Sequence, residues 1–388
     1  MTRARSADGR VCTEQSTPPA TVHDVDADLV GAVDRTLGGY LAERTAAADE
    51  LDPDFSAAAG KLRMFVLSGG KRLRPTFAWW GWRGAGGGDD AAGPDEADTV
   101  TSVLRVVSAL ELIQACALVH DDLIDGSAVR RGEPTLHTAF AARHTGMRWE
   151  GVPERFGLAA AVLLGDVALA WADDLFLSSG LTPPQLGAAI EPWRAMRTEM
   201  LAGQYLDVIT QARADESVEA AVRIDQLKTA AYTVGRPLHL GAAIAGGSPE
   251  LLAAYRSFGA DIGVAFQLRD DLLGVFGDPA VTGKPTGDDL REGKRTVLLA
   301  LALTEADRTG RHADATALLA GVGQAGLGER EAAELSALLV DLGAVAAVEQ
   351  RITERTAAAL ATLDAAPVAE PAATRLAELA VAATVRKR

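Results

Sequence analysis

The sequence predicts an all-α protein. Alanine and leucine are abundant among the 388 residues and aromatic side chains make up only 5%, a composition that favours helix over sheet. Apolar residues recur at spacings of three and four along most of the chain, and no segment shows a convincing strand alternation. Because the helical segments follow one another without a long linker, we expect a single domain of packed helices.

The N-terminal part begins with a polar segment. Residues 1–24 mix serine, threonine, proline and charged residues without periodicity, which predicts a disordered tail, so we place the domain at residues 25–388. Helical spacing begins near Asp26, and a second helix begins near Phe55 and ends at a glycine pair. A tryptophan-rich stretch follows, and its members are expected in the core or at an interface: Trp79, Trp80 and Trp82.

The middle of the chain alternates long helices with polar loops. Residues 84–98 are rich in glycine and aspartate, which predicts a flexible loop. Thr99 or Thr101 can cap a long helix that runs to about Ile124, and residues 143–154 are expected to form a loop. Later helices are predicted at 157–178, 184–212, 218–245, 250–276 and 296–304, with a glycine- and charge-rich loop at 277–294 and further helices at the C-terminus.

Composition argues against several classes of function. The 38 basic and 53 acidic residues give a net charge of −15. A chain with this charge repels nucleic acid, so we expect no nucleic-acid partner. Two cysteines, Cys12 in the polar tail and Cys116 in an apolar helix, form neither a disulfide framework nor a thiolate metal site. We find no run of membrane-spanning length and no signal peptide, so we expect a cytoplasmic protein without membrane insertion.

The strongest chemical signal is an apolar helical run that ends in three aspartates: Asp121, Asp122 and Asp125. The first and third lie on one helix face, and the second flanks them. Three close carboxylates need a cation. Mg²⁺ suits oxygen ligands because it takes one or two carboxylates and completes its shell with water and phosphate oxygens. Arg130 and Arg131 follow, and their planar guanidinium groups suit the oxygens of a diphosphate.

A second acidic site ends another apolar helical run at Asp270 and Asp271, with Gln267 one turn earlier. Adjacent buried carboxylates are costly without cations. Charged residues follow in the next loop, namely Lys284, Asp288, Asp289 and Lys294. The two acidic helix ends can face each other across a cavity and hold metal ions against one diphosphate.

Other basic residues occupy positions suited to anions. Lys71 and Arg74 flank a Gly-Gly turn, whose backbone N–H groups can add to anion binding. Lys228 and Thr229 occur within a mostly apolar helix, where a lysine needs a partner such as phosphate or must reach the surface. His120 precedes the first acidic site, and we expect it to be structural.

In combination these features resemble the trans-isoprenyl diphosphate synthases, the polyprenyl synthetase family. The resemblance covers about residues 26–388, and its motifs occur in the family's order: GGKRLRP (69–75), ELIQACALVHDDLID (111–125), RRG (130–132), GQYLD (203–207), KT (228–229), FQLRDD (266–271) and GK (283–284). It implies a bundle of long helices around a deep central cavity, usually in a homodimer. The implied reaction condenses isopentenyl diphosphate with an allylic diphosphate, head to tail, using three Mg²⁺ ions and releasing pyrophosphate.

The resemblance also assigns residue roles. The implied metal ligands are Asp121, Asp125 and Asp270, and Asp122 and Asp271 support them. The allylic diphosphate is expected to contact Arg130, Lys228 and Lys284. Isopentenyl diphosphate is expected to contact Lys71, Arg74, Gln114 and Arg131. Family pocket positions with less defined roles are Gln204, Asp207, Thr229, Gln267 and Lys294. The implied catalytic set is Asp121, Asp122, Asp125, Arg130, Lys228, Asp270 and Asp271.

Two positions depart from the family pattern. Gln114 stands where many relatives carry histidine, and its amide can still donate a hydrogen bond to phosphate. Gly274 stands where the second motif often has its third aspartate, giving DDLLG, which weakens that metal site on paper. Asp270 and Asp271 remain, so we expect the site to tolerate the change.

Product length is expected to depend on the helix that ends at Asp121. A bulky aromatic residue one turn earlier would form a floor that stops a growing chain, but Cys116 and Ala117 are small. The first motif also lacks the two-residue insertion of many short-chain relatives. The sequence therefore predicts a product longer than C15, with geranylgeranyl diphosphate (C20) favoured.

Alternative functions remain open at this point. Within the family, these are a farnesyl diphosphate synthase and a synthase of chains of C25 and above. A class I terpene cyclase also uses an acidic first motif, but it typically has an NSE-type second motif and lacks GGKRLRP. A non-catalytic synthase subunit tends to lose the first aspartate motif, which is intact here.

Overall fold

The computed structural model describes residues 21–89, 94–279, 286–324 and 326–385. Nearly all regular structure in these residues is helical, which confirms the predicted all-α class. The N-terminal helices are α1 Val22–Ala27, α2 Leu29–Leu51, α3 Pro53–Leu67, α4 Leu73–Gly84 and α5 Pro94–Ile124. A short hairpin of β1 Val129–Arg130 and β2 Glu133–Pro134 precedes α6 Leu136–Met147, α7 Pro153–Leu177, α8 Pro183–Arg213 and α9 Val218–Ile224.

The C-terminal half begins with a π-helix. This π-helix, Asp225–Gly235, continues from α9 and is followed by α10 Arg236–Ile244, α11 Pro249–Phe276, α12 Asp288–Glu292, α13 Val297–Arg308, α14 His312–Gly321, α15 Glu329–Asp341, α16 Ala344–Ala365 and α17 Ala372–Thr384. The predicted helices therefore exist, although several begin or end at other residues.

The bundle is built around α5. Most of its side chains from Val100 to Val119 are buried, and it packs against α2, α4 and α7. Each large apolar side chain buried in this way contributes about 1.5–3 kcal/mol. A second buried cluster joins the C-terminal part of α11 to α13 and α16. The C-terminal ends of α5 and α11 reach the same cavity, so the packing brings the two acidic motifs together.

The N-terminal region is helical earlier than predicted. Residues 1–20 lie outside the described residues, and α1 begins at Val22 rather than near Asp26. The Thr21 side chain accepts a hydrogen bond from the backbone of Asp24, whose carboxylate accepts one from the Thr21 backbone. This capping box satisfies donors at the start of the helix. The tryptophans are predicted in the core or at an interface. The structure buries all three in the core, namely Trp79, Trp80 and Trp82.

Three predicted loops are partly wrong. The loop predicted at 277–294 contains the short helix α12 at Asp288–Glu292. The helix α5 begins at Pro94 rather than at Thr99 or Thr101, so the end of the loop at 84–98 is helical. Proline suits the first helical turn, where its missing N–H costs nothing. The loop at 143–154 is wrong in its first part, because α6 extends to Met147. His144 of α6 is buried against aromatic neighbours, so tertiary packing extends a weakly periodic segment.

The helix predicted at 218–245 contains the π-helix in its middle. Two glycines of neighbouring helices approach the π-helix backbone closely. A Cβ atom on Gly203 of α8 would lie 2.4 Å from the nitrogen of Lys228, and one on Gly263 of α11 would lie 2.2 Å from the Cα of Ala230. Any larger residue at these two positions would push the π-helix away from its neighbours.

Within the described residues, two helices are long and apolar enough to cross a membrane, whereas the sequence prediction is that no run reaches this length. In α5 the apolar window within Ala97–Ile124 is 78% buried, as expected for the core helix of a bundle. The helix α7 is different, because only 33% of its apolar window is buried. Its exposed side chains include Leu158, Val162 and Leu163, so α7 presents an apolar face outward.

Candidate active site

A cavity of about 380 Å³ lies between α5, α8, the π-helix and α11. Predicted site residues make up much of its wall, namely Arg74, Gln114, Cys116, Ala117, Asp121, Arg130, Arg131, Gln204, Asp207, Lys228, Thr229, Gln267, Asp270, Asp271 and Lys294. Asp122 and Asp125 lie next to this wall and contact residues within it. Lys71 is exposed and lies outside the wall, and Lys284 falls outside the described residues.

The three aspartates of the first motif have different surroundings. Burial disfavours the ionised form of Asp121, but Lys228 and Lys294 outweigh it and hold its pKa below the usual range. Asp125 is less well compensated, and burial together with the charge of Asp121 raises its pKa to about 6. Asp122 is buried and accepts a hydrogen bond of 2.7 Å from Arg130. In this motif Asp121 and Asp125 thus contact lysines, while Asp122 contacts an arginine.

The β-hairpin places the two arginines. Its two-residue turn consists of Arg131 and Gly132, whose φ angles are 53° and 80°. A type I′ hairpin turn requires positive φ at both positions. The turn directs Arg130 to the carboxylate of Asp122 and Arg131 to the carbonyl oxygen of Gly69, which accepts a hydrogen bond of 2.7 Å. The guanidinium groups therefore lie between the first acidic motif and the Gly-Gly turn.

Lys228 connects the π-helix to two other helices. Its Nζ lies 2.7 Å from Asp207 Oδ2 and 2.9 Å from Asp121 Oδ1. Burial alone would lower the pKa of Lys228, but these two carboxylates raise it above its usual value. The side chain is therefore a half-buried ammonium paired with two carboxylates, and the alternative of a lysine that reaches the surface is excluded.

Hydrogen bonds fix the second acidic motif. Thr229 donates to Gln267 Oε1 at 2.6 Å, and the Gln267 amide donates to Asp271 Oδ1 at 2.8 Å. Asp271 is 3% exposed, and burial together with the charge of Asp289 raises its pKa to about 8. Two residues whose roles the sequence left undefined thus position a carboxylate of the motif.

Lys294 joins the two acidic regions at the outer end of the cavity. Its Nζ lies 2.8 Å from Glu292 Oε2, 3.5 Å from Asp289 Oδ1 and 3.7 Å from Asp125 Oδ2. Burial opposes its protonation, but Asp289 and the other carboxylates raise its pKa well above the usual value. Lys228 and Lys294 together balance part of the negative charge of the two motifs.

The donor set fits Mg²⁺. Among the described residues, no three His, Cys, Asp or Glu side chains converge closely enough to enclose one ion. Mg²⁺ does not need such a cage, because water and substrate phosphates supply most of its ligands. The Oδ2 atom of Asp271 is buried and has no hydrogen-bond partner in the part of the chain that the structure describes. A buried carboxylate oxygen of this kind is stabilised by a cation.

Two of the residues expected to bind isopentenyl diphosphate, Arg74 and Gln114, contact Tyr232. The guanidinium carbon of Arg74 lies 3.9 Å from the centre of the Tyr232 ring. Nη2 of Arg74 donates a hydrogen bond to the Thr233 hydroxyl. The Tyr232 hydroxyl donates to Oε1 of Gln114, so the Gln114 carbonyl oxygen is engaged and its amide nitrogen stays a donor. Within the described residues, Arg74 Nε and Gln204 Nε2 are buried without a hydrogen-bond acceptor. Both are positioned to donate to a ligand in the cavity.

Small residues line the cavity one turn before Asp121. Cys116 and Ala117 are part of the wall, and Met200 and Leu201 of α8 line it as well. His120 also lines it, but its ring nitrogens lie 3.7 Å from Cys116 Sγ and 3.2 Å from the carbonyl oxygen of Val162. These contacts agree with the structural role predicted for this histidine.

Sequence reasoning missed two charged residues near the site. Arg72 is buried, and it forms ion pairs of 2.6 Å with Glu111 and 2.8 Å with Asp34. Its motif contains three basic residues, and their order does not reveal which one is structural. Asp225 lines the cavity with 7% exposure, and its Oδ2 has no partner among the described residues. Burial and the charge of Asp271 raise its pKa well above the usual value. In the sequence, Asp225 is marked only by its position one helical turn before Lys228.

An all-α bundle whose cavity joins two acidic helix ends to lysines and arginines is the architecture of a metal-dependent, diphosphate-binding enzyme. The family model described as polyprenyl synthetase matches residues 59–321, more than half of the chain. The chain belongs to the polyprenyl synthetase family, whose members use isopentenyl and allylic diphosphates and depend on Mg²⁺.

Individual relatives agree with this membership. A geranylgeranyl diphosphate synthase of Mycobacterium tuberculosis is 32% identical over 292 residues, 72% of this chain and 76% of the relative. A geranylfarnesyl diphosphate synthase of Aeropyrum pernix is 32% identical over 246 residues, 63% of this chain and 69% of the relative. The crystal structure of geranylgeranyl pyrophosphate synthase from Corynebacterium glutamicum, complexed with isoprenyl diphosphate and magnesium, is 47% identical with a TM-score of 0.87, covering 92% of this chain and 98% of that one. This chain is a trans-prenyltransferase.

Proposed function

We propose that this prenyltransferase condenses isopentenyl diphosphate with allylic diphosphates to geranylgeranyl diphosphate (C20). The observation that carries the product length is the pair of small side chains, Cys116 and Ala117, in the cavity wall one turn from Asp121. The isoprenoid chain grows away from the acidic end, and these side chains leave it room. The names of the M. tuberculosis and C. glutamicum relatives support the same length.

Three Mg²⁺ ions are proposed to be held by Asp121, Asp125 and Asp270, with Asp122 and Asp271 in support. When bound, Mg²⁺ neutralises diphosphate charge and so favours departure of pyrophosphate from the allylic carbon. The buried Oδ2 of Asp271 and the weak compensation of Asp125 support a cation between the motifs. Lys228 and Lys294 contact carboxylates of the first motif and would contact the diphosphate as well.

The two substrates are proposed to occupy different basic groups. The allylic diphosphate would be bound by Arg130, Lys228 and Lys284. Isopentenyl diphosphate would be bound by Lys71, Arg74, Gln114 and Arg131. Supporting donors are Gln204, Thr229, Gln267 and Lys294. The two arginines of the hairpin support this division, because Arg130 donates to Asp122 of the first acidic motif whereas Arg131 donates to the carbonyl oxygen of Gly69 in the Gly-Gly turn.

The residues of the cavity fit an ionisation mechanism. The allylic C–O bond breaks while lysines and arginines stabilise the departing pyrophosphate. The delocalised carbocation needs protection from water, which the apolar wall beyond Asp121 provides. The isopentenyl double bond attacks the cation, a new C–C bond forms, and a proton leaves to the released pyrophosphate. No protein base is required for this last step.

The enzyme is proposed to act as a homodimer. The exposed apolar face of α7 has a counterpart on α8, where Leu201, Tyr205 and Val208 are exposed. Exposed apolar area of this extent on two adjacent helices is typical of an interface between subunits. The helix α8 also lines the cavity with Met200 and Leu201, so a partner covering this helix would shield the reaction from solvent.

A synthase of C25 or longer chains is the second candidate. The similarity to the geranylfarnesyl diphosphate synthase of A. pernix favours it, since that relative is as identical as the geranylgeranyl diphosphate synthase of M. tuberculosis. In that case Met200 and Leu201 would not stop the chain at C20.

A product assay tests the proposal. Purified protein is incubated with Mg²⁺, isopentenyl diphosphate and each of the C5, C10 and C15 allylic diphosphates, and the chain length of the product is measured. We expect elongation to C20 with each usable primer, and loss of roughly a hundredfold or more of activity in Asp121→Ala. No elongation with any primer would refute the proposed reaction, and products ending at C15 or extending beyond C20 would refute the proposed length.

A further inference from the structure

The space beside Gly274 is filled by the carboxylate of another residue. Gly274 lies on α11, one turn after Asp270, at the position where the family motif often has its third aspartate. A Cβ atom on Gly274 would lie 1.9 Å from Oδ2 of Asp289 and 2.3 Å from its carboxyl carbon. Any side chain at position 274 would therefore displace the Asp289 carboxylate.

Asp289 is held in place by its short helix and by Lys294. The helix α12 begins after Gly287, which has a φ of 77°, and the Asp289 carbonyl oxygen accepts a backbone hydrogen bond of 3.1 Å from Lys294. The Asp289 side chain is only 13% exposed, and its Oδ1 lies 3.5 Å from Lys294 Nζ. The same ammonium lies 3.7 Å from Asp125 of the first motif. Asp289 thus faces the first acidic motif across a single cationic group.

An independent observation indicates that this region is built for a cation. Asp271 is 97% buried, and its Oδ2 has no hydrogen-bond partner in the described part of the chain, whereas its Oδ1 is fixed by Gln267. Asp271 and Gly274 are three residues apart on α11 and so lie on the same side of this helix, and the Asp289 carboxylate fills the space beside Gly274. The carboxylates of Asp271 and Asp289 therefore lie close together. Two buried carboxylates this close destabilise each other unless a cation compensates them.

We propose that Asp289 supplies the third carboxylate of the second acidic site, from α12 instead of from position 274, and that residue 274 is glycine to leave it room. This inference rests on the proposed Mg²⁺-dependent function. Because no three acidic side chains of the described residues converge closely enough to enclose one ion, Asp289 acts through one of the water ligands that Mg²⁺ retains. The third carboxylate of the second site is then present on α12, at Asp289, although position 274 on α11 is glycine.

Mn²⁺ binding measured by electron paramagnetic resonance, with inorganic pyrophosphate present, tests this assignment independently of turnover. We expect D289N to bind one ion about tenfold or more weakly, while the other ions keep their affinity. D288N is the matched control on the same short helix, and it should bind Mn²⁺ like the wild type. G274D should weaken binding as well, because its side chain displaces Asp289.

A carboxylate exchange makes the test sharper. G274D/D289G carries the third carboxylate on α11 again, and it should bind Mn²⁺ more tightly than D289G alone. Thermal unfolding of each variant separates a folding defect from a loss of binding. Equal Mn²⁺ binding by D289N and the wild type, or tighter binding by G274D with Asp289 present, overturns this inference alone. A wild type that binds no Mn²⁺ with pyrophosphate refutes the proposed function too.

Discussion

At the scale of single residues, the carboxyl groups of Asp125 and Asp271 have pKa values raised to within the neutral range. Burial is the main cause in both, and the charges of Asp121 and Asp289 add to it, giving pKa values of about 6 and about 8. A metal ion binds the ionised form, so protons compete with it below each pKa. The metal affinity should therefore depend on pH across the neutral range.

We expect affinity for Mn²⁺ to rise as the pH increases from about 6 to about 8, by up to about tenfold per pH unit for each proton displaced. Isothermal titration calorimetry in buffers of different ionisation enthalpy measures both the affinity and the number of protons released. The variant D271N should lose the upper part of the dependence. Affinity that is constant between pH 6 and pH 8 would contradict the raised pKa of Asp271.

Asp225 should weaken the folded state at neutral pH. Its carboxyl is buried beside other carboxylates, and its pKa is raised well above the value of 3.8 expected in the unfolded chain. As the pH rises above 3.8, the unfolded chain ionises this group and the folded chain does not, so stability is lost. We expect D225N to increase the free energy of unfolding at pH 7 by about 1–3 kcal/mol, the range for a buried polar group without a partner.

Urea denaturation at several pH values measures this difference. The gain in D225N should disappear as the pH approaches 3.8, where both states hold the proton. D261N is a suitable control. Asp261 on α11 accepts a hydrogen bond of 2.9 Å from Arg355, so the substitution should lower the free energy of unfolding. A variant D225N that is less stable than the wild type at pH 7 would show that the carboxylate is favourably paired.

Ala117 should control chain length through its size. A phenylalanine there would project into the cavity one turn from Asp121 and block a growing chain. We expect Ala117→Phe to shift the main product from C20 to C15 or shorter, while Ala117→Ser keeps the wild-type product. Analysis of the dephosphorylated products by chromatography gives the answer, and an unchanged length in Ala117→Phe would place the floor elsewhere.

At the scale of helices, the π-helix decides where Lys228 lies. Its sequence has ordinary helical spacing, so the residues alone predict one continuous helix at 218–245. The altered winding becomes visible only with the neighbouring glycines, because Gly203 and Gly263 bring α8 and α11 against the π-helix backbone. The pairing of Lys228 with Asp207 follows from this packing and could not be predicted from their separation in the chain.

Gly263→Ala should disturb this packing. The added methyl would lie 2.2 Å from the Cα of Ala230, a backbone atom that cannot move without shifting the π-helix. We expect a loss of about 1–3 kcal/mol in the free energy of unfolding, together with reduced activity as Lys228 is displaced. Gly60→Ala in α3 is the matched control, since a Cβ there meets no atom within 4 Å and should be neutral or stabilising by about 1 kcal/mol. Equal effects of the two substitutions in chemical denaturation would argue against the close approach.

Some helix ends could be predicted from the sequence, whereas others depend on packing. The ends of α5 at Ile124 and α11 at Phe276 could be predicted because apolar spacing stops at aspartates and glycine. The start of α5 at Pro94 could not, because the acidic residues around it resemble a loop. The role of Arg72 also could not be predicted from the sequence, because its ion pairs with Glu111 and Asp34 depend on how the helices pack.

At the scale of the whole molecule, the apolar faces of α7 and α8 suggest how copies of the chain associate. Leu163 is 65% exposed at the centre of the α7 face. We expect Leu163→Arg to convert a dimer to a monomer, because a buried arginine without a partner is costly at an interface. Sedimentation velocity measures the change. Leu319→Arg, at an exposed leucine on α14, should sediment like the wild type, and a wild-type monomer would contradict the proposed assembly.

The central claim at this scale is that α5 and α11 form one metal-diphosphate site. A crystal structure with Mn²⁺ and inorganic pyrophosphate, with anomalous scattering to locate the ions, tests it most directly. We predict Mn²⁺ at the carboxylates of Asp121, Asp125 and Asp270, with pyrophosphate between the two helix ends. Ions at only one of the two motifs, or pyrophosphate bound away from both, would contradict it.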